Sequence, residues 1–487
     1  MKSLGIAAAA VLLSAMPAAA GPWLEAGDRQ VRSDVELLKA AGLIRGPVNA
    51  WPLPWAQVAE GLERAKGQTL PSHLGAAVRR LTILSERDGQ KSRYEVRARA
   101  TNRPSVVRDF GDTAREDGDV TVRAEHELGK LYISYGVGWR EGQQGRDFHF
   151  EPATLALPIG NWALYGGYVD TWWGPGHDSA LLFSTNARPI PRVGIKRLVP
   201  EPIDFPVLRW FGPWRLDVFA GIATETRLDY NNPAVAGMRL SFEPVPGLEI
   251  GLNRGLQLCG SGRPCGLGTI FDAVVAIGDA DNTGTLNEPG NQIAGFDISY
   301  TRMIGNVAVQ AYTEWEAEDE DNLLIEQFSR MAGFTLSGPI GDNGASWTLL
   351  GEWSDTLAVK LGGGKTYPGS MYNNFIYFDG FTYRDRALGH SLDGDSELWT
   401  AGLSVTDAKN RRFYGTYRRV DINKTSNLRN NNLSLTRETY NAFEVGTELP
   451  TAFGDISLEA RYDTDAPNTP GTSDAKTAIE IGWRTRF

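Results

Sequence analysis

The stretch YVDTWWGPGHDSALLFSTNARPIPR, from Tyr168 to Arg192, concentrates the side chains best suited to chemistry. Trp172 and Trp173 are followed by Gly174-Pro175-Gly176, which cannot continue as ordinary strand, so two indoles sit on a bent backbone. His177, Asp178, Asn186 and Arg188 lie close by in sequence. Flat apolar faces edged by hydrogen-bonding groups are what a sugar-binding surface requires, which makes these six residues candidate glycan ligands. The same residues would equally serve to fold the segment into the mouth of a barrel and plug it. A hydrolytic reading of His177, Asp178 and Ser179 is disfavoured, because neighbours on an extended chain point to opposite sides and form no relay unaided.

Other polar clusters carry less. In GDADNTGTLNE, Asp279, Asp281 and Thr283 precede Gly284 as in a calcium loop, but Gly290 stands at the twelfth position and no helices flank it; a solvated loop is the expectation. The acidic run EWEAEDEDN, Glu314 to Asn322, is expected to mark where a strand gives way to water. Cys259 and Cys265, the only cysteines, enclose the turn sequence GSGRP; the expectation is one local disulfide, with two free thiols as the alternative. A zinc site would need two further ligands that the neighbourhood does not supply, so neither metal nor cofactor is implied.

The elements that position these groups change character along the chain. Lys2, the apolar run from Leu4 to Leu13 and Ala18-Ala19-Ala20 before Gly21 have the layout of an export signal, with cleavage between Ala20 and Gly21. Residues 21–90 carry helical signals: Val35, Leu38 and Ala41 on one face ending at Gly42, Pro54 opening WAQVAEGLERA, and Leu74, Val78, Leu81 and Leu84 on a third stretch. From Tyr94 onward the period is two, as in Tyr94, Val96, Ala98 and Ala100, then Leu131, Ile133, Tyr135, Val137 and Trp139. Short turns (Gly129-Lys130, 158–161, 304–306, 408–410, 452–454) alternate with long connections (102–118, 171–190, 254–294, 356–396, 421–440). That asymmetry belongs to outer-membrane barrels, and counting alternating stretches gives roughly 18 strands over residues 91–487.

The mean hydropathy of -0.29 conceals half-apolar strands well. After the signal no uninterrupted apolar run reaches the ~20 residues of a membrane helix, leaving a closed barrel as the way to live in lipid. A formal charge of -10 argues against nucleic acid. The chain ends on TAIEIGWRTRF, in which Trp483 and Phe487 lie on the apolar face of a strand without a tail. Such a strand is expected to close the barrel against the first, which would put the helical head and the C-terminus together on the periplasmic side.

Three stretches, SDVELLKAAGLIRGPVNAWPLPW (Ser33 to Trp55), WWGPGHDSALLFSTNARPIPR (Trp172 to Arg192) and CGLG…EPGNQIAGFD (Cys265 to Asp297), together resemble the capsule-assembly Wzi family over nearly the whole mature chain. The resemblance implies an outer-membrane barrel of eighteen strands with a periplasmic helical bundle. It also implies a surface lectin that helps attach or organise capsular polysaccharide, without enzymatic activity. Expected partners are the polysaccharide, outer-membrane lipid and the barrel assembly machinery. Rival readings are a diffusion porin, which needs a continuous wet lumen, and an outer-membrane enzyme.

Overall fold

The structure, a computed structural model, describes residues 21–487 apart from 143–144, 152, 276–289, 319–326, 428–429, 466–467 and 470–472. The expected leader, with Ala20, lies outside the described residues, as does the loop of Asp279, Asp281 and Thr283. Eighteen principal antiparallel strands, from Ser92–Thr101 to Thr477–Arg486, form one closed barrel. Among the described residues no helix is long and apolar enough to cross a membrane.

Closure happens where the sequence places it. The last strand pairs with the first from Glu480↔Thr101 to Arg486↔Glu95. Phe487 and Tyr94 then exchange both backbone hydrogen bonds (2.8 and 3.0 Å), with their rings stacked at 5.9 Å. Ile479, Ile481 and Phe487 face outward and are exposed, while Ala478 and Glu480 are buried inside. The period of two thus resolves into an apolar outer face and a polar lumen, as lipid on one side of a closed sheet demands.

The lumen corrects the reading of the acidic run. The first five residues of the run belong to the strand Val307–Glu318, where Glu314, Glu316 and Glu318 are buried on the inward face instead of marking an exit to water; its remainder, 319–322, lies outside the described residues. A polar face in this barrel looks toward packed protein, so alternating glutamates meet donors there. Asn253 donates to Glu316 (2.9 Å), and Arg239 forms a fully buried pair with Asp297 (2.6 Å) across the strand that lies between theirs.

Three helices fill the end of the barrel that carries the short turns: α1 (Arg29–Ala40), α2 (Trp55–Ala65) and α3 (Ser72–Asp88). Asp28 caps α1 by accepting from the Val31 N–H (3.0 Å), and Gly42, at φ +72°, turns the chain just beyond its last turn. Asp34 of α1 binds the Arg80 guanidinium of α3 at 2.6 and 2.8 Å, joining the helices through charge as well as through Leu38, Leu74, Ala77 and Leu81. The wall holds the bundle in turn. Glu249, two residues beyond the tight turn at Gly247, accepts from Lys39 Nζ (2.9 Å) and from the Val48 and Asn49 N–H groups (2.8 and 3.0 Å).

One connection at this end departs from the expected short turns. Between strands Pro191–Arg197 and Trp214–Ile222 the chain makes a long excursion through a 3-10 turn at Leu208–Phe211.

Deleting Phe487 removes both backbone bonds to Tyr94 and the terminal ring. The expected outcome is a several-fold lower yield of heat-modifiable, folded barrel on gel electrophoresis; an unchanged yield would show that closure does not depend on the last residue.

Candidate functional site

The Trp-Trp segment enters the barrel from the long-loop end and runs down to the helical bundle. Trp172 and Trp173 pair as a short antiparallel ladder with Trp51 and Ala50, and the Gly174 N–H donates to the Asn49 carbonyl at 2.9 Å. Both indoles are 0% exposed. Trp172 packs edge-on against Phe110 (5.4 Å), Phe110 against Trp51 (5.1 Å), and Trp173 against Phe183 and Phe219 (5.1 and 5.5 Å). Arg32 of α1 donates from below to the Pro175 and Gly176 carbonyls (2.6 and 2.8 Å) while its guanidinium covers the Phe110 ring at 4.6 Å.

The barrel wall completes this plug with carboxylates. Glu352 accepts from three successive backbone N–H groups, those of His177, Asp178 and Ser179 (2.6, 3.0 and 3.2 Å), and from the Tyr312 hydroxyl at 2.6 Å. Glu314 accepts from the Leu181 N–H at 2.9 Å. A bent loop inside a barrel exposes main-chain donors that water cannot reach, and an unpaired one costs about 1–3 kcal/mol. The glutamates supply the acceptors. Gly174 is required at φ +124°, where an added Cβ would lie 2.4 Å from Glu314 Oε2.

The six expected glycan ligands therefore take other roles. Asp178 is locked between Arg418 (Nη2 at 2.7 Å) and the Thr400 hydroxyl (2.5 Å). Asn186 donates to the Ala387 carbonyl (2.8 Å) and accepts from Arg386 (3.0 Å), and Arg188 pairs with Glu116 and Glu151. His177 faces Glu36 at 3.4 Å, held well below its ordinary pKa by burial and then by the Arg32 charge. With Trp172 and Trp173 buried and these four committed to the fold, none offers a free face to a polymer. The sequence left platform and plug open; packing selects the plug. His177, Asp178 and Ser179 also form no relay, since the ring and the carboxylate serve separate partners. Cys259 and Cys265 are bonded to each other.

A different surface stands at the long-loop end. The segments 223–233, 259–267 and 371–383 meet there. Arg227 donates to the Gly380 carbonyl (2.8 Å), Tyr377 donates through its hydroxyl to the Cys259 carbonyl (2.8 Å), and the Asp379 backbone N–H donates to the Asp229 carboxylate (3.0 Å). The Arg263 guanidinium lies 5.7 and 5.8 Å from the Tyr230 and Tyr377 rings. Asn374 accepts from the Ile376 and Tyr377 N–H groups (2.8 and 3.3 Å), fixing a tight turn that presents Phe375 and Phe378 outward, 57% and 55% exposed. The cue in sequence is the density of aromatics in MYNNFIYFDGFTY; which of them face out is decided by burial of Tyr372, Tyr377, Phe381 and Tyr383 in the contacts below. Among the described residues no group of three or more His, Cys, Asp or Glu is placed to hold a metal ion.

The family model described as capsule assembly protein Wzi matches residues 87–478. The chain belongs to the Wzi family. A solved structure of Wzi from Escherichia coli, described as an outer-membrane protein involved in group 1 capsule assembly and a carbohydrate-binding β-barrel, superimposes with a TM-score of 0.80 at 22% identity. The alignment covers 96% of this chain and 99% of that one. An uncharacterised 55.8 kDa protein of the cps region of Klebsiella pneumoniae is 27% identical over 420 residues, which is 85% of this chain and 80% of that protein. The Wzi fold here thus has its lumen occupied from both ends, by a helical bundle and by its own loop.

Replacing Trp172 and Trp173 by alanine is expected to cost about 3–5 kcal/mol for each buried indole and to open a conducting path, read as a lower unfolding temperature and as single-channel current. The plug should also loosen in acid. Burial pushes the His390 pKa down to about 3 from 6.5, its Nδ1 accepting from the Leu392 N–H (3.1 Å) and its Nε2 meeting Ser354 (2.7 Å). A depressed folded-state pKa means the unfolded loop binds the proton more tightly. The stabilisation is therefore complete above about 6.5 and lost as pH falls from there toward 3. His177 contributes with the same sign. Protease cleavage within 361–396 should rise over that window in the native protein and rise less in His390→Gln.

Proposed function

We propose that this chain is an outer-membrane lectin that binds capsular or other surface polysaccharide and helps attach or organise it at the cell surface. The helical bundle and the C-terminus lie in the periplasm, and the long loops face outside. Membership of the Wzi family supports the reading, as does an apolar outer face that suits lipid. The observation that carries it is the loop-end surface around Phe375 and Phe378, where two exposed rings are held rigid by Asn374, Arg227 and Tyr377 above a filled lumen. Rigid rings lose little entropy when a sugar stacks on them, and a repeating polymer turns weak contacts into avidity.

A diffusion porin is disfavoured by the buried ladder between Trp172–Trp173 and Ala50–Trp51, which lies across the lumen. The role is binding, not catalysis, because Asp178 and His177 are committed to structural partners. The strand ending on Phe487 is suited to recognition by the barrel assembly machinery.

With an aromatic contact worth about 1 kcal/mol and tenfold in affinity equal to about 1.4 kcal/mol, Phe375→Ala and Phe378→Ala are each expected to weaken binding of purified capsular polysaccharide roughly five-fold. Conductance should stay at background. Full binding by the double variant on a glycan array would remove this surface from consideration.

A further inference from the structure

The connection between Arg197 and Trp214 has no role in closing the barrel or in the loop-end surface. Phe205, Val207, Leu208, Trp210 and Phe211 are all exposed along it, Val207 at 71% and Trp210 at 83%. So large an apolar cluster on one short segment calls for something to cover it.

Its placement identifies the cover. The segment leaves and rejoins the barrel at the bundle end, since Arg197 pairs with Trp162 next to the tight turn at Gly160 and Trp214 pairs with Phe242. Phe242 and Trp214 belong to the outward face, and Phe211 packs edge-on against Phe242 with centroids 5.0 Å apart. Trp162 and Trp214 meet at 6.2 Å on the same rim, and the Arg197 guanidinium lies 4.0 Å over the Trp214 ring while donating to the Glu201 and Trp214 carbonyls (2.9 and 2.8 Å). The patch therefore continues the barrel's outer belt through the Phe211–Phe242 contact.

The segment is also held in this direction. Gly46 of the helical head touches Pro200 and Pro213 so closely that a Cβ would lie 2.5 Å from Pro200 Cγ, and Gly212, at φ +64°, turns the chain back where a Cβ would meet the Glu243 carbonyl at 2.0 Å. Asp204 and Arg209 pair with each other and stay exposed, which leaves a polar edge for water beside the apolar one. Aromatic and aliphatic groups next to paired charges, at the rim of a lipid-facing surface, are the composition of an interfacial anchor.

We propose that residues 201–213 lie in the headgroup and upper acyl region of the phospholipid leaflet at the bundle end, seating Val207, Trp210 and Phe211 in lipid and fixing the depth and tilt of the barrel there. The proposal rests on the outer-membrane reading above, and the test separates the two. Full-length protein carrying a nitroxide at Val207→Cys or Trp210→Cys, with the native disulfide left oxidised, is reconstituted into phosphatidylethanolamine/phosphatidylglycerol vesicles. Collisions with oxygen and with a nickel chelate are then compared by electron paramagnetic resonance. Labels at Ile481→Cys, on the outward face, and Lys409→Cys, in a water-facing turn, are the references. The expected result is several-fold more oxygen than nickel accessibility at 207 and 210, as at 481, and the reverse at 409. Nickel accessibility at 207 and 210 matching that at 409, with 481 in lipid, overturns the anchor and gives the patch to a soluble partner. Nickel access at 481 as well overturns the outer-membrane reading and the anchor with it.

Discussion

A closed antiparallel sheet has no free edge, and in this chain the hydrogen bonds that remove the edge run up to Phe487. Phe487 and Tyr94 complete a ladder in which every strand has two neighbours. Closure forces each strand to show one face to the outside and one to a lumen. Everything else follows from having to fill that lumen. An eighteen-stranded wall encloses more space than its own side chains can occupy, so the chain sends helices in from one end and loops from the other.

Filling a lumen with loops raises a problem that a hydrophobic core does not have. Bent backbone carries donors and acceptors that a helix or sheet would have paired internally. The wall answers with buried carboxylates: Glu249 under the helical head, Glu314 under Leu181, and Glu352 under His177, Asp178 and Ser179. Each is itself a costly group to bury, and each accepts from the segment it holds, Glu314 through one oxygen only. Wall and plug therefore depend on one another. The arrangement also explains why the indoles are invisible from outside, since the apolar part of the plug packs between these polar anchors against Phe110, Phe183 and Phe219.

A plug of this kind frees the outer surface for recognition. With the loops tied down through Arg227, Tyr377 and Asn374, the exposed rings of Phe375 and Phe378 stand on a scaffold that need not order itself when a ligand arrives. At the opposite end the 201–213 excursion adds apolar surface outside the wall. In the function and anchor proposed here the two ends meet different neighbours, a polymer at one and a lipid leaflet at the other.

The period of two, the short and long connections and the alternation within TAIEIGWRTRF made the barrel and its closure legible in sequence, because lipid and lumen act on alternate residues with opposite demands. The helical period of α1 and α3 was legible for a similar reason, a single apolar stripe facing a single core. What sequence could not decide was the direction in which loops fold. Trp172-Trp173 has the composition of a sugar platform and of a packed plug alike, and only the contact with Ala50-Trp51, far away in the chain, distinguishes them. In the run Glu314 to Asn322 the described part, Glu314 to Glu318, misled in the same manner: its charges pointed to water, yet Glu314 meets a backbone donor from a distant loop and Glu316 the Asn253 side chain of the wall, and tertiary packing alone brings these acceptors and donors together.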